Sequence, residues 1–294
     1  MEISYLKKTC SKDNVRLDAY LADIGAYKSR SQATKFLDKI TVNGKSVNKN
    51  YKLKSGDIID FEPAPEEVFG PEKIPLDIRY EDDDIIVISK QAGLVCHPST
   101  GHETHTLVNA LLYHCGELPD LQGDKTRAGI VHRLDGDTSG LLVAAKTMQA
   151  GEKLMADMKE HKPNRHYLAL VHGVVKPDTG KIDAPLLRSV KGRPKMIVRD
   201  DAAAKDAITT FKVIERYNDT TLLDCKLHTG RTHQIRAHME FIGHPVVGDP
   251  LYSSFKDDIK RQFLHCYVLG FNHPITGEYM EFKDELPQDL KEIL

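Results

Sequence analysis

The chain of 294 residues contains no tryptophan and only five cysteines. Cys10, Cys96, Cys115, Cys225 and Cys266 are scattered, odd in number, and form no Cys-x-x-Cys pair. That pattern excludes a zinc ribbon and a disulfide framework, and reduced thiols in a cytoplasmic protein are the simplest expectation. Long apolar runs are also missing. Nothing approaches the roughly 20 residues that cross a bilayer, so no membrane partner is expected. The opening Met1-Glu-Ile-Ser-Tyr-Leu-Lys-Lys8 lacks the apolar core of a signal peptide.

Several chemical motifs are absent too. There is no Gly-x-Gly-x-x-Gly after a strand, no phosphate loop ending in Gly-Lys-Ser/Thr, no Gly-x-Ser-x-Gly and no His-Glu-x-x-His. His102 and His105 have the wrong spacing for zinc on a helix. His228, His233, His238 and His244 are five or six apart, where three or four would share a helical face. Neither a nucleotide cofactor nor a metal is expected.

What is present is the composition of a globular protein, 40% hydrophobic and 29% charged, long enough for one large domain or two. The net charge is only -2, but it is unevenly spread. From Lys28 to Lys54 there are eight basic residues against Asp38 alone, a balance of +7. Such a block is either a face for anions, nucleic acid above all, or a solvated lysine-rich surface.

The basic block lies in a small predicted domain. Leu17, Tyr20, Leu21 and Ile24 have helical spacing, and Gly25 follows as a stop. A second helix is predicted from Ser29, with Gln32 completing a capping box and a stripe of Ala33, Phe36, Leu37 and Ile40. Asn43-Gly44 marks a hairpin within 41–47, and 53–61 closes the unit as turn and strand. This unit resembles the S4 RNA-binding domain in its Arg-Leu-Asp-x-Tyr-Leu opening, Ser-Arg-Ser-Gln-Ala and Val-Asn-Gly-Lys. The resemblance implies that Ser29, Arg30, Lys35 and the turn carrying Lys45 face RNA. Proline and acidic residues around 62–73 read as a linker. The expected division is therefore an S4-like domain over 1–62, a linker over 63–73 and a second domain over 74–294.

Strands are predicted at 85–88, 141–145, 167–172, 207–213 and 220–227, and helices at 106–114, 151–160 and 232–242. Strands outnumber helices without alternating with them, which favours an α+β fold with a mixed, largely antiparallel sheet. The stretch Gly129-Ile-Val-His-Arg-Leu-Asp-Gly-Asp-Thr-Ser-Gly140 stands out. Its Asp-x-Asp-x-Ser-Gly matches half a calcium loop, but the twelfth position is Lys146 where calcium needs a glutamate. A plain turn and a carboxylate pair, Asp135 with Asp137, are the other readings of the residues alone. Farther on stand Asn164-Arg165-His166-Tyr167 and Gly230-Arg231-Thr232-His233-Gln234-Ile235-Arg236. Arg236 adjoins the stripe of Ile235, Met239 and Ile242. A partly buried arginine needs a carboxylate, either Asp135 or Glu240 one turn away. Tyr167 alone reads as a core tyrosine on a buried strand before it reads as a site residue.

His-Arg-Leu-Asp-x-x-Thr-Ser-Gly, then Arg-x-Tyr-x-Ala, then Thr-Gly-Arg-Thr-His-Gln-Ile-Arg-x-His-Met, resemble the RluA-type pseudouridine synthases. Ile78-Arg-Tyr-Glu-Asp82 and Lys90-Gln-Ala-Gly-Leu-Val-Cys-His-Pro98 resemble that family's opening motif, with Gln91 where proline is usual. The likeness runs through 74–294, behind an S4 domain as in the RluD-like members. It implies a uridine-to-pseudouridine isomerase that needs no cofactor. Asp135 would be the catalytic nucleophile or the base at the ribose 2′ position, Arg236 its partner, and Tyr167 would stack on the flipped base. Arg133 would fill the vacated space or hold phosphate, while Arg231 and His233 would contact the RNA backbone. Large-subunit ribosomal RNA is the favoured substrate, transfer RNA the second, and a monomer the default state. A non-catalytic RNA-binding factor and a hydrolase using Asp135 with Asp137 are the competing functions.

Overall fold

The computed structural model describes residues 5–27, 30–63, 69–99, 102–189 and 195–294. Its internal contacts divide the chain into two units, Met1–Val68 and Phe69–Leu294.

The first unit runs β1 (Leu6–Thr9), β2 (Val15–Arg16), α1 (Leu17–Asp23), α2 (Arg30–Lys35), β3 (Ile40–Val42), β4 (Lys45–Ser46), β5 (Lys52–Leu53) and β6 (Ile58–Phe61). An antiparallel sheet in the order β1-β6-β3-β4 lies with a β2-β5 pair. The predicted stripe of α1 is what it buries: Leu17, Tyr20 and Leu21 meet Ala33, Ile40, Val42, Leu53 and Ile59 in one core. Asn43 and Gly44, with φ of 51° and 72°, give the two left-handed residues that a tight hairpin turn requires. The second helix departs from expectation. It ends at Lys35, Leu37–Lys39 form a 3-10 turn, and Ile40 opens β3 opposite Phe61. Helical spacing carried the stripe one turn too far, because Ile40 reaches the same core from a strand. Ser29, its proposed cap, lies outside the described residues.

The second unit adds β7 (Asp77–Glu81), β8 (Ile85–Lys90), α3 (Leu107–Cys115), β9 (Ser139–Ala145), α4 (Met148–Lys159), β10 (Asn164–His172), β11 (Thr179–Asp183), β12 (Leu186–Arg188) and β13 (Met196–Val198). Then come β14 (Ile208–Arg216), β15 (Thr220–Leu227), α5 (Gln234–Phe241), β16 (Leu264–Asn272), β17 (Tyr279–Lys283) and α6 (Gln288–Lys291). Phe69 already packs on the core of this unit. The main sheet has the order β11-β14-β15-β10-β16-β9-β8-β7, with β17 on β16. Every pair is antiparallel except β16 with β9. The α+β class and the largely antiparallel mixed sheet are thus as expected.

All seven residues of β9 are buried, so its apolar run lacks the alternation of a strand with one wet face. β16 was not foreseen. It is buried almost throughout, yet His265 and Gly270 interrupt its apolar pattern. It nevertheless sits between β10 and β9, and so joins the two strands that flank the site. Its parallel contact with β9 requires a glycine. At Gly140, φ is 113° and a Cβ would meet the Cys266 carbonyl oxygen at 2.2 Å and its nitrogen at 2.6 Å. Only a residue without a side chain lets two backbones come so close.

Candidate active site

Asp135 lies in the loop that enters β9. The Thr138 N–H donates to its carbonyl at 3.1 Å, closing a turn. Three side chains tie the loop down. Lys90 Nζ donates to the Gly136 carbonyl at 2.9 Å, Arg261 Nη1 to that of Asp137 at 3.2 Å, and Gln262 Nε2 to Thr138 Oγ1 at 3.2 Å. Lys90 is buried, which lowers its pKa to about 8, and it also donates to the Gln91 and Leu94 carbonyls. The loop is a turn and not a strand. Asp137 is exposed, whereas Asp135 turns into a pocket of about 340 Å³. The two carboxylates therefore do not act as a strand-borne pair.

Arg236 reaches that pocket from α5 and is 5% exposed. Its Nη1 donates to Asp135 Oδ2 at 2.9 Å. Its remaining donors go to Asp249, Nε to Oδ2 at 2.6 Å and Nη2 to Oδ1 at 2.9 Å. Of the two carboxylates left open by the sequence, Asp135 is the partner, while Glu240 pairs with Lys195 at 3.1 Å. Burial opposes the Arg236 charge, but Asp249 and Asp135 outweigh it and hold the guanidinium protonated. Asp249 is a residue of this cluster that sequence reasoning missed. It sits in Gly248-Asp249-Pro250, whose composition says only that the chain turns. Its Oδ1 also accepts the backbone N–H groups of Leu251 and Tyr252, at 2.9 and 3.0 Å. Tyr252 was missed as well. The guanidinium carbon of Arg236 stands 5.0 Å from its ring centre, a cation–π contact that fixes the arginine from a third side.

Tyr167 comes from β10, is 4% exposed and borders the same pocket. Burial, with Cys266 beside it, pushes its phenol well above the usual range. His132 Nε2 accepts the Val143 N–H at 3.1 Å. Burial, then Arg165, pushes this imidazole down to about 3, so the ring is neutral at physiological pH.

Arg133, Arg231 and His233 also border the pocket. Arg133 is exposed, with Nη1 3.4 Å from His97 Nε2. Arg231 Nε donates to the Asp206 carbonyl at 2.9 Å, and its backbone N–H donates to Gln234 Oε1 at 3.0 Å. His233 precedes α5 in the left-handed conformation, φ 53°. Its Nδ1 is 3.1 Å from the Tyr252 hydroxyl and its Nε2 is 3.9 Å from Asp135. Burial lowers its pKa ahead of the opposing pull of Asp135. It is thus a neutral hydrogen-bonding group, not an added positive charge at the helix start.

Of the residues expected to face RNA in the first unit, Arg30, Lys35 and Lys45 are exposed. Arg30 and Lys35 share a shallow depression with Arg16 and Lys49, and Lys45 is on the hairpin outside it. Arg16 and Lys49 were not among the residues expected to face RNA. Ser29 cannot be placed, since it is outside the described residues. Among the described residues one group has the atoms for a metal, Glu81, His114 and Cys115. The Glu81 carboxylate is already taken by Lys146 at 2.7 Å and His114 at 2.8 Å, and none of the three borders the pocket. Among the described residues no helix is long and apolar enough to cross a membrane.

Residues 84–241 match the family model for RNA pseudouridylate synthase, and residues 15–59 match that for the S4 domain. An uncharacterized RNA pseudouridine synthase of Bacillus subtilis (strain 168), YlyB, is 46% identical over 285 residues, covering 95% of this chain and 93% of that protein. The ribosomal large subunit pseudouridine synthase D of Zymomonas mobilis is 41% identical, over 94% of this chain and 92% of that one. Among solved structures, human RNA pseudouridylate synthase domain containing 1 is 27% identical with a TM-score of 0.60, over 74% of this chain and 85% of that one. The chain therefore belongs to the RNA pseudouridylate synthase family, as an RNA-modifying isomerase with an S4 domain at its N-terminus.

Proposed function

We propose that this chain isomerises specific uridines of large-subunit ribosomal RNA, with Asp135 as the catalytic carboxylate. The observation that carries the proposal is the 2.9 Å hydrogen bond from Arg236 to Asp135 inside a pocket also bordered by Tyr167. The choice of RNA rests on relatives named ribosomal large subunit pseudouridine synthase D, among them those of Zymomonas mobilis and Neisseria meningitidis. Asp135 acts either as nucleophile at the anomeric carbon or as base toward the 2′ hydrogen, both within the reach of a carboxylate. Arg236, itself clamped by Asp249, fixes the carboxylate in one orientation, so little ordering remains to be done during reaction. The target base leaves its stack to enter the pocket, where Tyr167 lies against it. Arg133 occupies the space the base vacates or holds phosphate, and Arg231 and His233 hold the RNA backbone. Arg30, Lys35 and Lys45 of the first unit, with Ser29, add phosphate contacts that carry affinity with little sequence choice. The enzyme works without a cofactor, as a cytoplasmic monomer. Mapping pseudouridines in the RNA of a deletion strain tests the substrate. Loss of a large-subunit site, restored by the wild-type gene, is expected. Loss confined to transfer RNA would replace ribosomal RNA as the target.

A further inference from the structure

Arg165 is a buried cation with no carboxylate partner among the described residues. It is 6% exposed and borders the active-site pocket from β10. Its Nε is fully enclosed with no hydrogen-bond partner, and among the described residues no carboxylate pairs with its guanidinium. The other buried arginines of the second unit are matched, Arg236 by Asp135 and Asp249, and Arg261 by Asp289. A largely buried, ionised arginine without a carboxylate is costly, and the enclosed, unpartnered Nε calls for a reason.

Its position supplies the reason. Arg165 and Tyr167 are two apart on one strand and both are buried, while His166 between them turns away to Asp224 at 2.8 Å. Arg165 and Tyr167 therefore share a face. The guanidinium lies against Gly230, where an added Cβ would stand 2.9 Å from Nη1. His132, whose pKa Arg165 helps to lower, is neutral and supplies no negative charge. What is missing is an anion brought by the substrate.

We propose that Arg165 is a further catalytic residue, one that holds the uracil anion formed when the glycosidic bond breaks. The inference rests on Asp135 acting as set out above. The bond between C1′ and uracil N1 breaks, and its electron pair leaves with the base. Asp135 either bonds to C1′ through a carboxylate oxygen or takes the proton from C2′. By either route the base departs as an anion, its charge spread over N1 and the two carbonyl oxygens. C5 then bonds to C1′. The carboxylate is expelled, or the C2′ proton is returned. The C5 proton is lost and N1 gains one, so the product is an isomer. A positive charge fixed in the pocket stabilises this anion more than the neutral uridine, which is what raises a rate. An RNA phosphate is the rival anion. It is tied on both sides to its neighbours, whereas a flipped base is the part of the RNA that leaves the chain's stack to enter the pocket.

The test compares Arg165→Gln, Arg165→Lys, Gly230→Ala and Asp135→Asn. Single-turnover rates of pseudouridine formation are measured with enzyme in saturating excess, and RNA affinity by filter binding at several salt concentrations. For Arg165→Gln the rate should fall roughly 10²–10³-fold, the loss seen when one fixed donor to a developing anion is removed. Affinity and its salt dependence should stay near wild type. Arg165→Lys should recover part of the rate. Gly230→Ala should slow the reaction about tenfold or more with Arg165 still present, because its Cβ displaces the guanidinium. An unchanged rate with weaker binding and a salt slope reduced by about one assigns Arg165 to a phosphate and overturns the proposal. So does a slow Arg165→Lys variant that melts as early as Arg165→Gln, since that marks a packing role. If Asp135→Asn is inactive while Arg165→Gln is unimpaired, the Arg165 proposal alone fails. An active Asp135→Asn removes the reading of the site on which it stands.

Discussion

Asp249→Asn separates what holds the site from what performs the chemistry. Asp249 has a side chain that is 0% exposed and accepts two hydrogen bonds from Arg236, at 2.6 and 2.9 Å. The substitution keeps shape and volume and removes one charge. An amide facing Arg236 also sets an N–H donor against a guanidinium donor. Hydrogen bonds to charged groups are worth about 1.5–3 kcal/mol each, and breaking a buried pair costs about 3–5 kcal/mol because the surviving charge is left uncompensated. The upper part of the first range is not reached, since Arg236 keeps Asp135 and the Tyr252 ring. A loss of about 3–5 kcal/mol corresponds to a fall in Tm of roughly 6–20 °C for a domain of this size. Asp135→Asn is the control. Asp135 makes one hydrogen bond to Arg236, and its side chain is 15% exposed, so its stability loss should be no more than about 1–2 kcal/mol. Urea unfolding of the full chain, followed by circular dichroism, measures both. An Asp249→Asn variant within about 1 kcal/mol of wild type would refute the reasoning, as would an Asp135→Asn variant that is the less stable of the two.

Three further outcomes are expected. Gly140→Ala forces a Cβ onto the Cys266 backbone and should destabilise the chain by about 1–3 kcal/mol or more, the range set by overpacking, with thermal melting as the readout. His132 has a folded pKa near 3, below its ordinary value of 6.5. Between these values the unfolded chain binds the extra proton, so stability is lost as pH falls below 6.5. His132→Gln should remove up to about 1.4 kcal/mol per pH unit of that acid sensitivity, as read from urea midpoints between pH 6.5 and 4. Lys35→Ala in the first unit should weaken RNA binding for every sequence alike and reduce the salt slope by about one, and an unchanged slope in filter binding would return Lys35 to an ordinary solvated surface.

Much of this site was legible because its residues obey local rules. Arg236 adjoins an apolar stripe on a helix, so its burial and its need for a carboxylate follow from spacing. The motif around Asp135, read beside its resemblance, then names the partner. Asp249 was hidden because a buried carboxylate in a loop has the same local composition as a turn. Its role exists only where the loop after α5 folds back onto Arg236. β16 itself was missed because a strand packed on both faces need not alternate, and His265 and Gly270 blurred its apolar run. Ile40 erred in the other direction. It kept helical phase with Ala33 and Phe36, but it reaches the core from β3, opposite Phe61. Tyr167 reads first as a core residue from the sequence; it is 4% exposed and also borders the pocket.

The most direct measurement uses large-subunit ribosomal RNA carrying tritium at uridine C5. Wild-type protein should release tritium as C5 becomes bonded to C1′. Asp135→Asn, folded and still binding RNA, should release it at least about a thousandfold more slowly, as the loss of a nucleophile or general base requires. Tritium release by Asp135→Asn at the wild-type rate would contradict the assignment of the chemistry to this carboxylate.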